Sequence, residues 1–309
     1  MPEGDTIWRV CRRLRAVLAG TLLTRAELRV PQLADVDLSG VTVLEVISRG
    51  KHQLFRFDSG WTLHTHLRMD GAWRTYPSGQ IAPIRRPDPI RRPDSIDRTD
   101  RPGRIYRPDR TYRTAQDRSD GQEHEIRVLL STAEIDVVGY RLPVVELLPT
   151  AEEDRVVGHL GPDLLGPDWD LEEALRRIRR DPDRSIGEAL LDQRNLAGIG
   201  TFYRAEVLFL QGVHPRTPVS ELANLPRVVQ RSRQLLQANK ERPEQVTTGD
   251  LRAGRRAYVF ERVGQPCRRC RTPIRTEEFG PVGQERRSYW CPVCQPLGEK
   301  LSSRGERGP

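Results

Sequence analysis

The 309-residue chain has no run near the roughly 20 consecutive apolar residues that a membrane-crossing helix needs. Its N-terminus also lacks the basic-then-apolar layout of a secretory signal, because Asp5 and Arg9 interrupt the only apolar run there. These absences exclude integral membrane and secreted classes and predict a cytoplasmic protein. Cysteine is sparse and odd in number, at five. In a compartment where thiols stay reduced, that argues against a disulfide framework. Methionine occurs only twice, so one lying outside an apolar stripe stands out.

What the chain does have is positive charge: 51 Lys and Arg against 43 Asp and Glu, a formal net of +8. That balance suits a polyanion, nucleic acid first. It also fits an arginine-rich soluble protein with no such partner, so charge alone does not choose. The length allows two domains. Four of the five cysteines fall as Cys267-x2-Cys270 and Cys291-x2-Cys294, with twenty residues between. Two such knuckles close a tetrahedral site, predicting one structural zinc ion per chain with no coordination position left for water. Gly280, Pro281 and Gly283, followed by Tyr289 and Trp290, read as a β-hairpin within that finger. Cys11 lies in an apolar helical stripe and reads as a small core residue.

The pattern divides the chain. Ile7, Val10, Cys11, Leu14, Val17 and Leu18 share one face of a helix over 6–19, with Gly20 at its C-cap position. Short β-type runs then follow, at 41–44, 53–57 and 61–64, and again at 126–130 and 144–148. A β-sandwich or barrel with one helix over residues 1–150 is expected. Within it, 83–120 carries 11 Arg, 7 Asp and 6 Pro with repeated Arg-Pro-Asp units, and reads as a disordered insertion: a basic arm or an inert expansion. The second half reads as helical, at 170–179, 185–191, 203–210 and 225–240, with a Ser185-x-x-Glu188 capping box. A glycine turn, Leu196 to Gly200, precedes the third of these. It has no strand before it, so a dinucleotide fold is not indicated, but its N–H groups can face a phosphate where the helix begins. The expected units are 1–150, a helical domain at 151–258, a zinc finger at 259–296 and a flexible tail at 297–309.

Met1 stands before the small residue Pro2, and its removal leaves a secondary amine at the N-terminus. Such an amine can attack an aldehyde carbon, and the adjacent Glu3 can move a proton. Proline at position 2 is in itself common and inert. Its company changes the reading. Met1 to Thr6, Gly50-Lys51, His66-Leu67-Arg68-Met69-Asp70-Gly71, Leu190-Leu191-Asp192-Gln193 through Gly198-Ile199-Gly200, and Tyr289-Trp290-Cys291-Pro292 resemble the formamidopyrimidine-DNA glycosylase and endonuclease VIII family. The resemblance spans almost the whole chain outside 83–120 and the tail. It implies an α+β protein of two domains: an N-terminal β-sandwich with a helix, and a C-terminal helix–two-turn–helix domain with a four-cysteine zinc finger.

The resemblance also implies roles. Pro2 is the Schiff-base nucleophile at C1′ of the damaged nucleotide, and Glu3 the acid that assists ring opening. Lys51 contacts phosphate and assists elimination, although a lysine after glycine is otherwise an ordinary exposed turn residue. Arg286, or Arg287 one position on, grips the flanking phosphates and serves the second elimination. Met69 fills the space of the flipped base and Arg68 meets the orphaned partner base; an isolated methionine would otherwise belong to a core. Gly200 and Thr201 lie where the family binds phosphate. Thr201 replaces the family's usual Asn, and Thr6 stands at a position that is often Glu.

Gly4-Asp5-Thr6 resembles the endonuclease VIII branch, particularly its actinobacterial members. Asp136 to Tyr140 lacks the Arg-Phe pair that purine-acting enzymes carry for the opposite strand. The expectation is a bifunctional glycosylase/AP lyase of base excision repair, favouring oxidised pyrimidines and abasic sites. It would act as a monomer on damaged duplex DNA in the bacterial nucleoid. The rivals are a purine-directed enzyme of the same fold and a non-catalytic zinc-finger binder of damaged DNA.

Overall fold

A computed structural model describes residues 2–81, 123–280, 283 and 285–298. The 83–120 segment and nearly all of the tail from 297 lie outside the described residues.

Helix α1 (Gly4–Leu18) opens the chain and ends where Gly20 takes φ +77, the left-handed backbone that favours glycine. Eight antiparallel strands follow: β1 (Arg25–Leu28), β2 (Val43–Arg49), β3 (His52–Phe57), β4 (Trp61–His66), β5 (Ala72–Pro77), β6 (Ile126–Ser131), β7 (Ile135–Tyr140) and β8 (Val144–Pro149). They form two four-stranded sheets, in the orders β1-β6-β7-β5 and β2-β3-β4-β8. Alternation along the strands explains the layering. Phe55 and Phe57 of β3 join Val128 and Val137 in a shared core, which Ile7, Cys11, Leu14 and Leu18 of α1 complete. Leu54, facing the other way, packs with Val157, Leu160 and Ala197 of the second half. Both faces of that sheet are therefore covered. Cys11 is a core residue as expected, its thiol donating to the Ile47 carbonyl at 3.4 Å.

The helical unit comprises α2 (Asp154–Val157), α3 (Leu171–Ile178), α4 (Ile186–Leu191), α5 (Thr201–Gln211) and α6 (Leu225–Asn239). The Ser185 hydroxyl caps α4, accepting from the Glu188 N–H at 3.3 Å. Between α4 and α5 the chain makes two turns braced by Gln193. Its amide donates to the carbonyls of Leu191 and Ile199, and its side-chain oxygen accepts the Gly198 N–H at 3.0 Å. Strands β9 (Arg275–Phe279) and β10 (Arg286–Trp290) then form the finger hairpin. A small core of Ala205 and Phe209 against Val259, Cys267, Ile274 and Tyr289 seats the finger on α5. No helix among the described residues is long and apolar enough to cross a membrane.

Candidate active site

Glu3 immediately precedes α1, yet its side chain does not cap that helix. It reaches across to the start of α5, where the Gly200 N–H donates to Oε2 and the Phe202 N–H to Oε1, each at 2.7 Å. A helix N-terminus offers free N–H groups and a favourable dipole, so it binds an anion well. The approach depends on glycine: a Cβ at position 200 would lie 2.5 Å from Glu3 Cδ. Beside it, the Gly4 N–H donates to the Gly198 carbonyl at 2.8 Å, and a Cβ at position 4 would lie 2.9 Å from Gly198 Cα. The N-terminal strap is thus pressed onto the turn ahead of α5.

This corrects one expectation. The Gly200 N–H, read as a phosphate donor, is occupied by a side chain of the same protein. The strap covers the turn, so Gly198 and Gly200 are buried and Thr201 is only 7% exposed.

Glu3 is fully buried, and that burial pushes its pKa up to about 7. Lys51 and the two N–H donors hold it down, while Asp5 pushes it up. Lys51 is half-buried, which departs from an exposed turn lysine. Burial lowers its pKa against the raising influence of Glu3, and Arg286 lowers it further. Its backbone is fixed by Gly50, which adopts φ +58 and donates its N–H to Asp163 Oδ2 at 2.7 Å. A Cβ there would meet the Ala197 Cβ at 2.9 Å. Pro2 is half-buried next to Glu3. One cluster therefore gathers the chain start, the β2–β3 turn and the start of α5, and the finger reaches it through Arg286.

The two finger arginines part company. Arg286 lies near enough to Lys51 and to the buried Arg204 for its positive charge to lower the pKa of both. Arg287, its neighbour on the strand, pairs with Glu278 at 3.0 Å across the hairpin. Arg204 donates to the Arg287 carbonyl at 2.7 Å, tying the hairpin to α5.

Met69 is 63% exposed at the tip of the loop after β4, unlike a core methionine. Arg68 takes φ +49, and its N–H donates to His66 Nδ1 at 2.9 Å. A Cβ on Gly71 would lie 2.7 Å from the Leu67 carbonyl oxygen, so the turn requires glycine.

A second correction concerns Asp136 to Tyr140. These residues form β7, an inner strand whose Asp136, Val137 and Val138 are at most 1% exposed, so they cannot meet an opposite DNA strand. The absence of an Arg-Phe pair there carries no information on lesion class. The exposed Arg141 that follows, at φ +48, donates to the Asp70 carbonyl at 3.2 Å and so adjoins the Met69 loop.

Several contributors had no sequence signal. Asp163 holds the Gly50 turn. Glu206 accepts the N–H groups of Tyr258, Val259 and Phe260 and so seats the finger. His52 Nδ1 meets His64 Nε2 at 2.8 Å, and His64 Nδ1 meets Glu146 at 2.9 Å, behind the Lys51 turn.

The sulfurs of Cys267, Cys270, Cys291 and Cys294 lie within 4.8 Å of one another and form a cluster able to hold a metal ion. The Cys267–Cys294 and Cys270–Cys291 sulfur separations are 3.9 and 3.4 Å. A tetrahedron with metal–sulfur bonds of about 2.3 Å has edges of about 3.8 Å, so the donor set fits zinc.

Residues 1–118 match the model of the formamidopyrimidine-DNA glycosylase N-terminal domain, and 160–248 that of the formamidopyrimidine-DNA glycosylase H2TH domain. The chain is 49% identical over 300 residues to a probable endonuclease 8 2 of Streptomyces coelicolor, covering 96% of this chain and 94% of that protein. It is 42% identical over 295 residues to the DNA-(apurinic or apyrimidinic site) lyase Nei2 of Mycolicibacterium smegmatis, covering 96% and 99%. Among solved structures, Lactococcus lactis Fpg in complex with DNA containing an abasic site superposes with a TM-score of 0.70. That comparison covers 96% of this chain and all of the other at 20% identity, and speaks to the fold alone. Fold, motifs and relatives agree, and the chain belongs to the formamidopyrimidine-DNA glycosylase and endonuclease 8 family.

Proposed function

We propose that this protein is a bifunctional DNA glycosylase and AP lyase of base excision repair. It removes oxidised bases, pyrimidines in preference, and nicks the resulting abasic site. The observation that carries the reading is Glu3: a buried carboxyl beside Pro2, clipped to a helix N-terminus, with its pKa raised to about 7. A carboxyl of that kind can be protonated near neutral pH and act as a general acid.

With Met1 removed, the neutral secondary amine of Pro2 attacks C1′; the bond from C1′ to the base breaks, the base leaving with that electron pair and gaining a proton as the amine gives up its own. Glu3 delivers a proton to the ring oxygen as the sugar opens, leaving an iminium between Pro2 and C1′. Loss of a C2′ proton then expels the 3′ phosphate, a second elimination expels the 5′ phosphate, and water releases the iminium. Lys51 and Arg286 steady the charge on the leaving phosphates, for which a planar guanidinium is well suited. Met69, with Arg68 beside it, enters the stack behind the extruded nucleotide, offsetting part of the few kcal/mol that extrusion costs.

Zinc in the four-cysteine cluster supplies structural cross-linking only. All donors are thiolates, so the ion holds β10 and Arg286 without entering the reaction. The protein works as a monomer on damaged duplex DNA.

The relatives named endonuclease 8 and the Gly4-Asp5-Thr6 signature support the pyrimidine preference. A side-by-side cleavage assay tests it, on duplexes carrying an oxidised pyrimidine or 8-oxoguanine. Faster excision of the pyrimidine is expected, and faster excision of 8-oxoguanine would overturn it.

A further inference from the structure

Among the described residues, Asp5 is the carboxylate whose charge acts on Glu3, and the reaction leaves its purpose open. It lies in the first turn of α1, three residues after Pro2, and is fully buried. Both oxygens are engaged by the second half of the chain. The Tyr203 hydroxyl donates to Oδ2 at 2.9 Å, and the Gln245 amide donates to Oδ1 at 3.0 Å. Tyr203 is itself fully buried, one position beyond Phe202, whose N–H holds Glu3. The first turn of α5 therefore grips the N-terminal segment twice, by backbone at Glu3 and by side chain at Asp5. Between these grips, Gly4 rests on Gly198.

Thr6 has no carboxyl to offer, and Asp5 points into the protein, toward Tyr203 and Gln245. We propose that Asp5 is a positioning residue: its carboxylate, bound by Tyr203 and Gln245, locks the first turn of α1 onto α5 and thereby fixes Pro2 and Glu3 for attack. The proposal rests on the amine mechanism given above. Its chemistry is geometric. A buried carboxylate held by one donor from α5 and one from the segment after α6 resists both rotation and sliding, because moving it strands the carboxylate without partners. Displacement of the amine by about 1 Å costs about 10²-fold in rate.

The test compares Asp5→Ala, Asp5→Asn and Tyr203→Phe with the unaltered protein, Met1 removed and zinc loaded. Single-turnover nicking of an abasic-site duplex reads the chemical step. The dissociation constant for a duplex carrying an uncleavable tetrahydrofuran site reads binding. Asp5→Ala is expected to slow nicking about 10²-fold with little change in binding. Tyr203→Phe, losing one bond to a charged group, slows it about tenfold. Asp5→Asn keeps most of the rate, since its carbonyl accepts from Tyr203 and Gln245 can turn its own carbonyl to the new amide. Wild-type nicking by folded Asp5→Ala, a loss confined to binding, or Asp5→Asn as slow as Asp5→Ala would each overturn the proposal. Should Asp5→Ala not fold, Tyr203→Phe decides: an unchanged rate overturns the lock. If the unaltered protein neither nicks nor forms a borohydride-trapped adduct, the Pro2 mechanism itself fails. If it does both while Asp5→Ala matches it, only the role of Asp5 falls.

Discussion

Glu3 has to be protonated to serve as an acid, whereas Pro2 has to be unprotonated to attack. An α-amino group titrates near about 8, and burial pushes Glu3 up to about 7. The two requirements overlap only around neutrality, so base excision should follow a bell in pH. The acid limb, set by the amine, levels off near pH 7 where Glu3 begins to ionise, and above about pH 8, with the amine fully neutral, further loss of protonated Glu3 lowers the rate about tenfold per unit. An acid limb that levels off near pH 4.5, the ordinary glutamate value, rather than near 7 would show that Glu3 is not held as described. The same shift bears on stability. A carboxyl whose pKa rises on folding contributes stability that is complete below its unfolded value of about 4.5. That contribution is lost as pH rises through about 7. Urea midpoints should therefore decline across that interval. Of the residues concerned, Pro2, Glu3 and Lys51 were legible as motif positions. The grip of Gly200 and Phe202 on Glu3 was not, because it depends on backbone groups, which carry no sequence label.

The two sheets and their helix were legible as elements because strand and helix periodicities differ. The expected runs at 53–57 and 61–64 are β3 and β4, and the Ser185 capping box does begin α4. Asp136 to Tyr140 misled, because its short apolar run is what a strand buried on both faces looks like, while the resemblance sets it against the opposite DNA strand. The core that α1 shares with the sheets makes one prediction. Leu14 is fully buried against that core, so Leu14→Ala should cost about 2–5 kcal/mol in a urea titration. A cost below 1 kcal/mol would mean that α1 is held by its terminal contacts alone. A second prediction concerns the β2–β3 turn. Gly50→Ala strains a φ of +58 and drives a Cβ toward Ala197, so it should displace Lys51 and slow nicking more than it weakens DNA binding. Equal losses in rate and binding would contradict a local effect at Lys51.

At the level of the whole molecule, three separate parts converge on one cluster: the chain start, the β2–β3 turn and the start of α5. The zinc-finger hairpin joins them through Arg286. Their convergence could not be read from spacing, since Asp163, Glu206 and Tyr203 act across more than a hundred residues or from within ordinary helix. The net charge of +8 becomes specific once it is assigned to phosphates. Arg286→Ala should reduce the salt slope of DNA binding by about 1, while Arg287→Ala, whose partner is Glu278, should change it less. Equal slopes for the two variants would remove Arg286 from the interface. Covalent catalysis by the N-terminal amine is read in one step by borohydride trapping on a duplex with a single abasic site. A protein–DNA adduct is expected from zinc-loaded protein lacking Met1, and is lost in Pro2→Ala, which still binds the duplex. An adduct of equal yield from Pro2→Ala, or none from the unaltered protein, would contradict catalysis by that amine.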